Sequence, residues 1–209
     1  MSKFKNIKAV LFDLDGVLVD ACDWHYHALN MSLEKHAGFK IEKKDHIDNF
    51  NGLPTIKKLK MLEKKKMLKE ENFEKIWKDK QNFTVDAINK HGKKDQIKIS
   101  LHQKLIKSKL DVCCVTNSIR KTAELMLKKT GQIKFMKFII TNEDVVNPKP
   151  DPECYISAIA KLNLDKENVL IIEDSEKGYA AAVQSGANVI KVKNPNEVNI
   201  DLFKKVGII

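Results

Sequence analysis

Ala9-Val10-Leu11-Phe12-Asp13-Leu14-Asp15-Gly16 is an uninterrupted apolar run that ends in two carboxylates spaced two residues apart. Its first part is rich in β-formers, the pattern of a strand buried on both faces in a parallel sheet. Four further runs of this kind lie at residues 110–115, 138–140, 169–172 and 188–192. Helical patterns separate them. Residues 122–129 place Ala123, Met126 and Leu127 on one face, and residues 153–162 place Ile156, Ile159 and Ala160 together. Strands alternating with helices of this size predict an α/β fold, an open, doubly wound parallel sheet.

The interval between the first and second runs has a different character. From about residue 20 to about residue 94 it has no β-like run, and helical segments are expected around 25–36, 56–68 and 73–90. Breaks fall at Gly38 and at Asn51-Gly52-Leu53-Pro54. So long an interval is not a loop of a compact sheet protein. It reads as a small all-helical domain inserted after the first strand. The expected division is core at 1–19, helical insertion at 20–92, and the rest of the core at 93–209.

Composition narrows the functional classes. The 209 residues fit one α/β core carrying an insertion. A hydrophobic fraction of 43% excludes a disordered chain. No apolar stretch approaches the roughly 18 residues of a membrane span, and the N-terminal apolar segment is too short for a signal peptide. A cytoplasmic protein is expected. Cys22, Cys113, Cys114 and Cys154 form no CxxC pair and read as reduced core residues. The net charge is +10, almost entirely from lysine, with Arg120 the one arginine. Base-edge readout favours arginine, so nucleic acid is disfavoured as partner. The lysines alternate with glutamates in residues 60–80, KMLEKKKMLKEENFEKIWKDK, as on a solvated helix face. The excess positive charge still steers anionic metabolites.

Polar residues follow four of the five strands, and in open parallel sheets ligands bind at the carboxyl ends of the strands. Asp13, Asp15, Thr116, Asn117, Ser118, Glu173 and Asp174 are therefore expected in one cleft. Lys149 sits in Asn147-Pro148-Lys149-Pro150-Asp151-Pro152, where three prolines stiffen the loop. Several carboxylates in one site need a cation, and hard oxygen donors without His or Cys select Mg2+. A carboxylate can act as a covalent nucleophile toward phosphorus, and a second can protonate the leaving oxygen and then activate water. Each element has a structural alternative. The Asp13–Gly16 turn can rest on Asx hydrogen bonds, and Ser118 can cap the helix that begins near Ile119. Their joint, ordered occurrence on one sheet edge favours the catalytic reading.

That ordered set resembles the signature of the haloacid dehalogenase superfamily. Phe12-Asp13-Leu14-Asp15-Gly16-Val17 is similar to its first motif, Val115-Thr116-Asn117-Ser118 to the second, Lys149-Pro150-Asp151-Pro152 to the third, and Ile172-Glu173-Asp174-Ser175 with Gly178 to the fourth. The resemblance covers essentially the whole chain and makes the insertion a cap domain. It implies Asp13 as nucleophile and Asp15 as general acid/base. It implies Asp13, the Asp15 backbone carbonyl and Asp174 as Mg2+ ligands, with Glu173 in support. Thr116, Asn117 and Lys149 would hold the phosphate, with Gly16 and Ser118 in supporting contacts. Family dehalogenases lack an acid at the Asp15 position, so its presence favours phosphate esters.

Within the superfamily the resemblance is to the subgroup of phosphoglycolate-phosphatase-like and β-phosphoglucomutase-like enzymes. His25 is similar to a hinge histidine found there, and Asn51–Thr55 to a substrate-specificity loop whose arginine in the mutase aligns with Thr55. The expectation is an Mg2+-dependent phosphatase of a small phosphorylated metabolite. A phosphosugar mutase is the alternative enzyme, and a catalytically silent binding module the alternative of another class.

Overall fold

The computed structural model describes Phe4 and residues 6–209. Five parallel strands, β1 (Ala9–Phe12), β2 (Asp111–Val115), β3 (Ile139–Ile140), β4 (Val169–Glu173) and β5 (Asn188–Lys191), form one sheet in the order β3-β2-β1-β4-β5. The chain leaves β1 toward β2 and β3, then crosses back to place β4 and β5 on the other side. The crevice between β1 and its neighbours is thus the topological switch point where such sheets bind ligands.

The period of two along the strands sorts side chains to the two faces. Val10 and Phe12, with Val112, Cys114, Leu170 and Ile172, face α5 (Gln96–Lys107), α6 (Arg120–Lys129) and α9 (Ile200–Lys205). Ala9 and Leu11, with Cys113, Val115, Val169 and Ile171, face α7 (Glu153–Leu162) and α8 (Glu176–Gln184). Helices on both faces explain why every residue of β1 is fully buried.

One helix face differs from the sequence-based expectation. On α7 the buried stripe is Cys154, Tyr155, Ala158, Ile159 and Leu162, whereas Ile156 is half exposed and Ala160 is exposed. The helix is rotated because Tyr155 turns inward, where its hydroxyl finds buried polar partners.

Between β1 and β2 lie α1 (Cys22–Ala37), α2 (Lys43–Asp45), α3 (Thr55–Lys64) and α4 (Phe73–His91). Gly38 ends α1 in the left-handed conformation at φ 72°, as a C-terminal glycine does. These helices bury an apolar cluster of their own, Leu29, Leu33, Ile41, Phe50, Leu59, Leu62, Leu68, Phe73 and Ile76. Helix α4 belongs to both cores. Its N-terminal Phe73 and Ile76 join this cluster, while Ile88 packs into the core beneath the sheet.

The turn from α1 to α2 is held by one buried side chain. Asn30 Nδ2 donates to the Ile41 carbonyl at 2.9 Å, and Asn30 Oδ1 accepts from the Ile41 N–H at 2.9 Å. Tyr26 also donates to that carbonyl, at 3.3 Å, so Asn30→Ala would orphan chiefly the N–H. We expect this variant to lose about 1–3 kcal/mol, read as a lower urea midpoint with an unchanged slope.

Candidate active site

The parallel register decides which groups meet. Phe12 lies opposite Cys114 on one side and Ile172 on the other. The residues that follow, Asp13, Val115-Thr116 and Glu173-Asp174, must therefore emerge side by side. The Asp13 N–H continues the ladder by donating to the Ile172 carbonyl at 3.0 Å, which aims the side chain out of the strand end.

Lys149 completes this group. Its ammonium lies within 2.8 Å of four oxygens: Asp13 Oδ1 (2.7 Å), Glu173 Oε1 (2.6 Å), the Val115 carbonyl (2.8 Å) and the Tyr155 hydroxyl (2.8 Å). Tyr155 in turn donates to Glu173 Oε1 at 2.6 Å. Glu173 is fully buried, and its other oxygen accepts from the Asp174 N–H at 3.1 Å. Burial opposes the charge on Lys149, but Asp13 and Glu173 overcome it and hold the ammonium well above its usual range.

Two glycines make room for the carboxylates. Gly16 has φ +92°, and a Cβ there would lie 2.1 Å from Asp174 Oδ2. At Gly178 a Cβ would lie 2.0 Å from Glu173 Oε1. Both are positions that only glycine fills without displacing an acid.

Asp13, Glu173 and Asp174 bring one carboxylate oxygen each within 4.8 Å of one another. Burial, aided by Glu173, Asp174 and Asp15, pushes the Asp13 carboxyl well up despite Lys149. Burial and then Glu173 and Asp15 push Asp174 up to about 7. Asp174 Oδ1 is buried without a hydrogen-bond partner. A crowded, oxygen-only cluster with an orphaned oxygen fits a hard divalent cation such as Mg2+.

Asp15 faces elsewhere. Its carboxylate accepts from Ser118 Oγ at 2.7 Å and meets His25 Nε2 at 2.9 Å. Burial would raise its pKa, but His25 and Ser118 reverse the effect and bring it down to about 2. Burial and Lys80 hold His25 below the usual imidazole range. Lys80 Nζ lies 3.1 Å from His25 Nδ1. A lysine has only protons to offer, so Nδ1 is the acceptor and Nε2–H donates to Asp15. Lys80, His25 and Asp15 thus form a directed chain from α4 through α1 to the sheet edge.

The second-motif residues take distinct positions. Thr116 is buried at the cleft floor, where its hydroxyl accepts from the Ser118 N–H at 3.0 Å. Asn117 ties three segments together: Nδ2 donates to the Gly52 carbonyl (2.7 Å) and the Lys149 carbonyl (3.1 Å), and Oδ1 accepts from the Lys149 N–H (3.1 Å). Ser118 does not cap the following helix, because its hydroxyl is spent on Asp15. Glu143 supplies that cap, accepting from the Arg120 N–H at 2.5 Å.

Asp13, Asp15, Thr116, Asn117, Ser118 and Lys149 all line one cleft, walled on the helical side by His25, Gly52, Thr55, Lys58, Lys80 and Gln81. Glu173 lies beneath it rather than on its surface. Sequence reasoning missed Lys80 and Tyr155. Lys80 closes the stretch read as a solvated face, yet it is buried. Its signal was the spacing 73-76-80-84-88, which puts it on the apolar stripe of α4.

The chain also resembles known proteins over most of its length. Over 185 residues the chain is 27% identical to the "Phosphorylated carbohydrates phosphatase" of Thermotoga maritima, covering 86% of this chain and 82% of the relative. Over 198 residues it is 24% identical to "Pyrophosphatase PpaX" of Bacillus velezensis, covering 90% and 84%. The crystal structure of β-phosphoglucomutase from Clostridium difficile shares the fold, with a TM-score of 0.83, 23% identity and 96% of both chains covered. No helix among the described residues is long and apolar enough to cross a membrane. A family model described as haloacid dehalogenase-like hydrolase matches residues 10–192, from the strand that presents Asp13 to beyond the one that presents Asp174, and this chain is an enzyme of that family.

Proposed function

We propose that this enzyme is an Mg2+-dependent phosphatase of small phosphomonoesters, working through a phosphoryl group carried on Asp13. The observation that carries the reading is the Asp13 carboxylate at the cleft, 2.7 Å from the Lys149 ammonium, with the separately held Asp15 two residues on. The phosphatase and pyrophosphatase relatives support the same chemistry.

Asp13 Oδ attacks phosphorus and the ester oxygen leaves with a proton. Lys149 offsets the charge on Asp13 and on the transferred group. Asp13 and Asp174, with the Asp15 backbone carbonyl and support from Glu173, would hold Mg2+. When bound there, Mg2+ would supply charge neutralisation for phosphoryl oxygens and let these carboxylates stay ionised together. Thr116 and the Asn117 backbone would meet the remaining phosphoryl oxygens, the Asn117 side chain being fully engaged.

With His25 and Ser118 beside it Asp15 is ionised, in the state that withdraws a proton from water in the second step. Its acid role in the first step requires a proton, which the negative charge of a bound ester favours. The helical insertion over residues 20–92 serves as the cap that walls the cleft. The four free cysteines suit a reducing, cytoplasmic setting.

Three outcomes test this reading. Phosphate release should vanish on dialysis against EDTA and return with Mg2+; full activity in EDTA contradicts the metal assignment. Asp13→Asn should lower kcat by at least about a thousandfold, with no phosphoenzyme trapped by acid quench. Asp15→Ala should lose about 10²–10⁴-fold on an alkyl phosphate but distinctly less on p-nitrophenyl phosphate, whose leaving group needs no proton. Equal losses on the two substrates would remove Asp15 from the acid role.

A further inference from the structure

Polar side chains lie deep in the core between the sheet and the helices α5 and α6. His102 on α5 and Gln132, just beyond α6, have no exposure, and Thr130 is buried beside them. They form one directed chain. Burial holds the His102 imidazole down to about 4, so the ring is neutral and carries one N–H. Its Nε2 lies 2.9 Å from Gln132 Oε1, an oxygen that only accepts, so Nε2 is the donor. With its oxygen engaged there, the Gln132 amide turns Nε2 to the Leu18 carbonyl at 3.1 Å and to Thr130 Oγ1 at 2.9 Å. Thr130 donates its own proton to the Met126 carbonyl at 2.9 Å. The amide is thereby held in the one orientation that presents an N–H to Leu18.

Leu18 belongs to the turn that carries Asp15. That turn closes on itself through two carbonyls. The Leu14 carbonyl accepts from the Leu18 and Val19 N–H groups, both at 2.9 Å, and the Val19 carbonyl accepts from the Gly16 N–H at 2.8 Å. The Leu18 carbonyl faces out of the turn, and Gln132 meets it from the core. Asp15 is therefore gripped from two sides by segments that α6 joins. Ser118, ahead of α6, donates to its carboxylate at 2.7 Å, while Gln132, behind α6, holds the backbone of its turn. His102 also packs edge-on against Phe12, the residue before Asp13, with ring centroids 5.5 Å apart. Packing alone does not call for this chain, because apolar side chains of equal volume fill a core without the cost of desolvating polar groups.

We propose that Gln132 is a positioning residue for proton transfer: oriented by His102, its amide fixes the Asp15 turn from behind through the Leu18 carbonyl. This goes beyond the phosphatase reading and rests on it, in particular on the acid role of Asp15. A general acid works only when its proton lies within hydrogen-bond reach of the leaving oxygen. A displacement of about 1 Å, from a change far from the chemistry, costs about 10²-fold in rate. Freed of Gln132, the turn would keep its own hydrogen bonds and shift as a unit, carrying Asp15 off the ester oxygen.

The test measures kcat and KM at saturating Mg2+ on p-nitrophenyl phosphate and on whichever of glucose 6-phosphate, fructose 1-phosphate and glycerol 3-phosphate the wild type turns over fastest. Gln132→Met, close to glutamine in length, should lower kcat on the alkyl ester by about 10- to 100-fold and on p-nitrophenyl phosphate by less than about threefold, with KM little changed. In an Asp15→Ala background the same substitution should cost less than about twofold on the alkyl ester, since the group it positions is gone. Thr130→Val removes the other branch of the chain and should change kcat less than about twofold on both substrates. His102→Leu leaves Gln132 in place but frees its amide to turn over, so it should show the same selective loss as Gln132→Met, and it decides the matter if Gln132→Met does not fold. Equal losses on the two substrates, a full further loss in the Asp15→Ala background, or the same pattern in Thr130→Val overturns the positioning role and leaves the phosphatase reading intact. No phosphate released by the wild type from any of the four esters overturns the phosphatase reading itself.

Discussion

Lys149 is the cation on which the sheet edge depends. Parallel register forces Asp13, Glu173 and Asp174 into one neighbourhood, and Glu173 has no exposure at all. Left to themselves these acids would take up protons or push the strand ends apart. One ammonium, shared by Asp13 and Glu173, lets the edge close. Such an arrangement is sensitive to subtraction, since removing one partner of a buried ion pair leaves a charge that costs about 3–5 kcal/mol. The three prolines around Lys149 and the Asn117 contacts to its backbone fix the ammonium in place. Gly16 and Gly178 follow from the same crowding, because the carboxylates occupy the space their side chains would need.

A division of labour among the acids results. Asp13, pushed upward by burial and its acidic neighbours, and Asp174, pushed upward by burial with Glu173 and Asp15, would suit a cation. Asp15, only two residues from Asp13, is drawn down instead by His25 and Ser118. Two carboxylates in one loop thereby acquire opposite tendencies, as the proposed nucleophile and proton-transfer roles would require.

The strands were legible because each is a short apolar run with turn residues after it, and their polar sequels sit on one sheet edge as parallel topology demands. The residues that escaped notice share one cause: a polar group on a buried stripe. Lys80 is hidden in a lysine-rich chain, where a further lysine carries almost no information by type. Only its spacing of four from Ile76 marks it as inward. Tyr155 was masked differently. It lies beside Ile156, and periodicity alone assigns the more apolar of two adjacent residues to the core. The hydrogen bonds to Lys149 and Glu173 that reverse that choice come from elements distant in sequence. Ser118 shows a local preference overruled in the same way, a good capping residue diverted to Asp15 while Glu143 caps the helix.

The Asn117 side chain uses both its N–H groups and its carbonyl on Gly52 and Lys149. Gly52 belongs to the helical wall, and Lys149 to the proline-stiffened loop at the sheet edge. The amide is therefore a latch between container and contents. The wall cannot swing away from the sheet without breaking the contact that also seats the lysine backbone. Admission of a ligand and alignment of the charge that would receive it become a single event. A half-open cleft would then hold the Lys149 loop less firmly than a closed one.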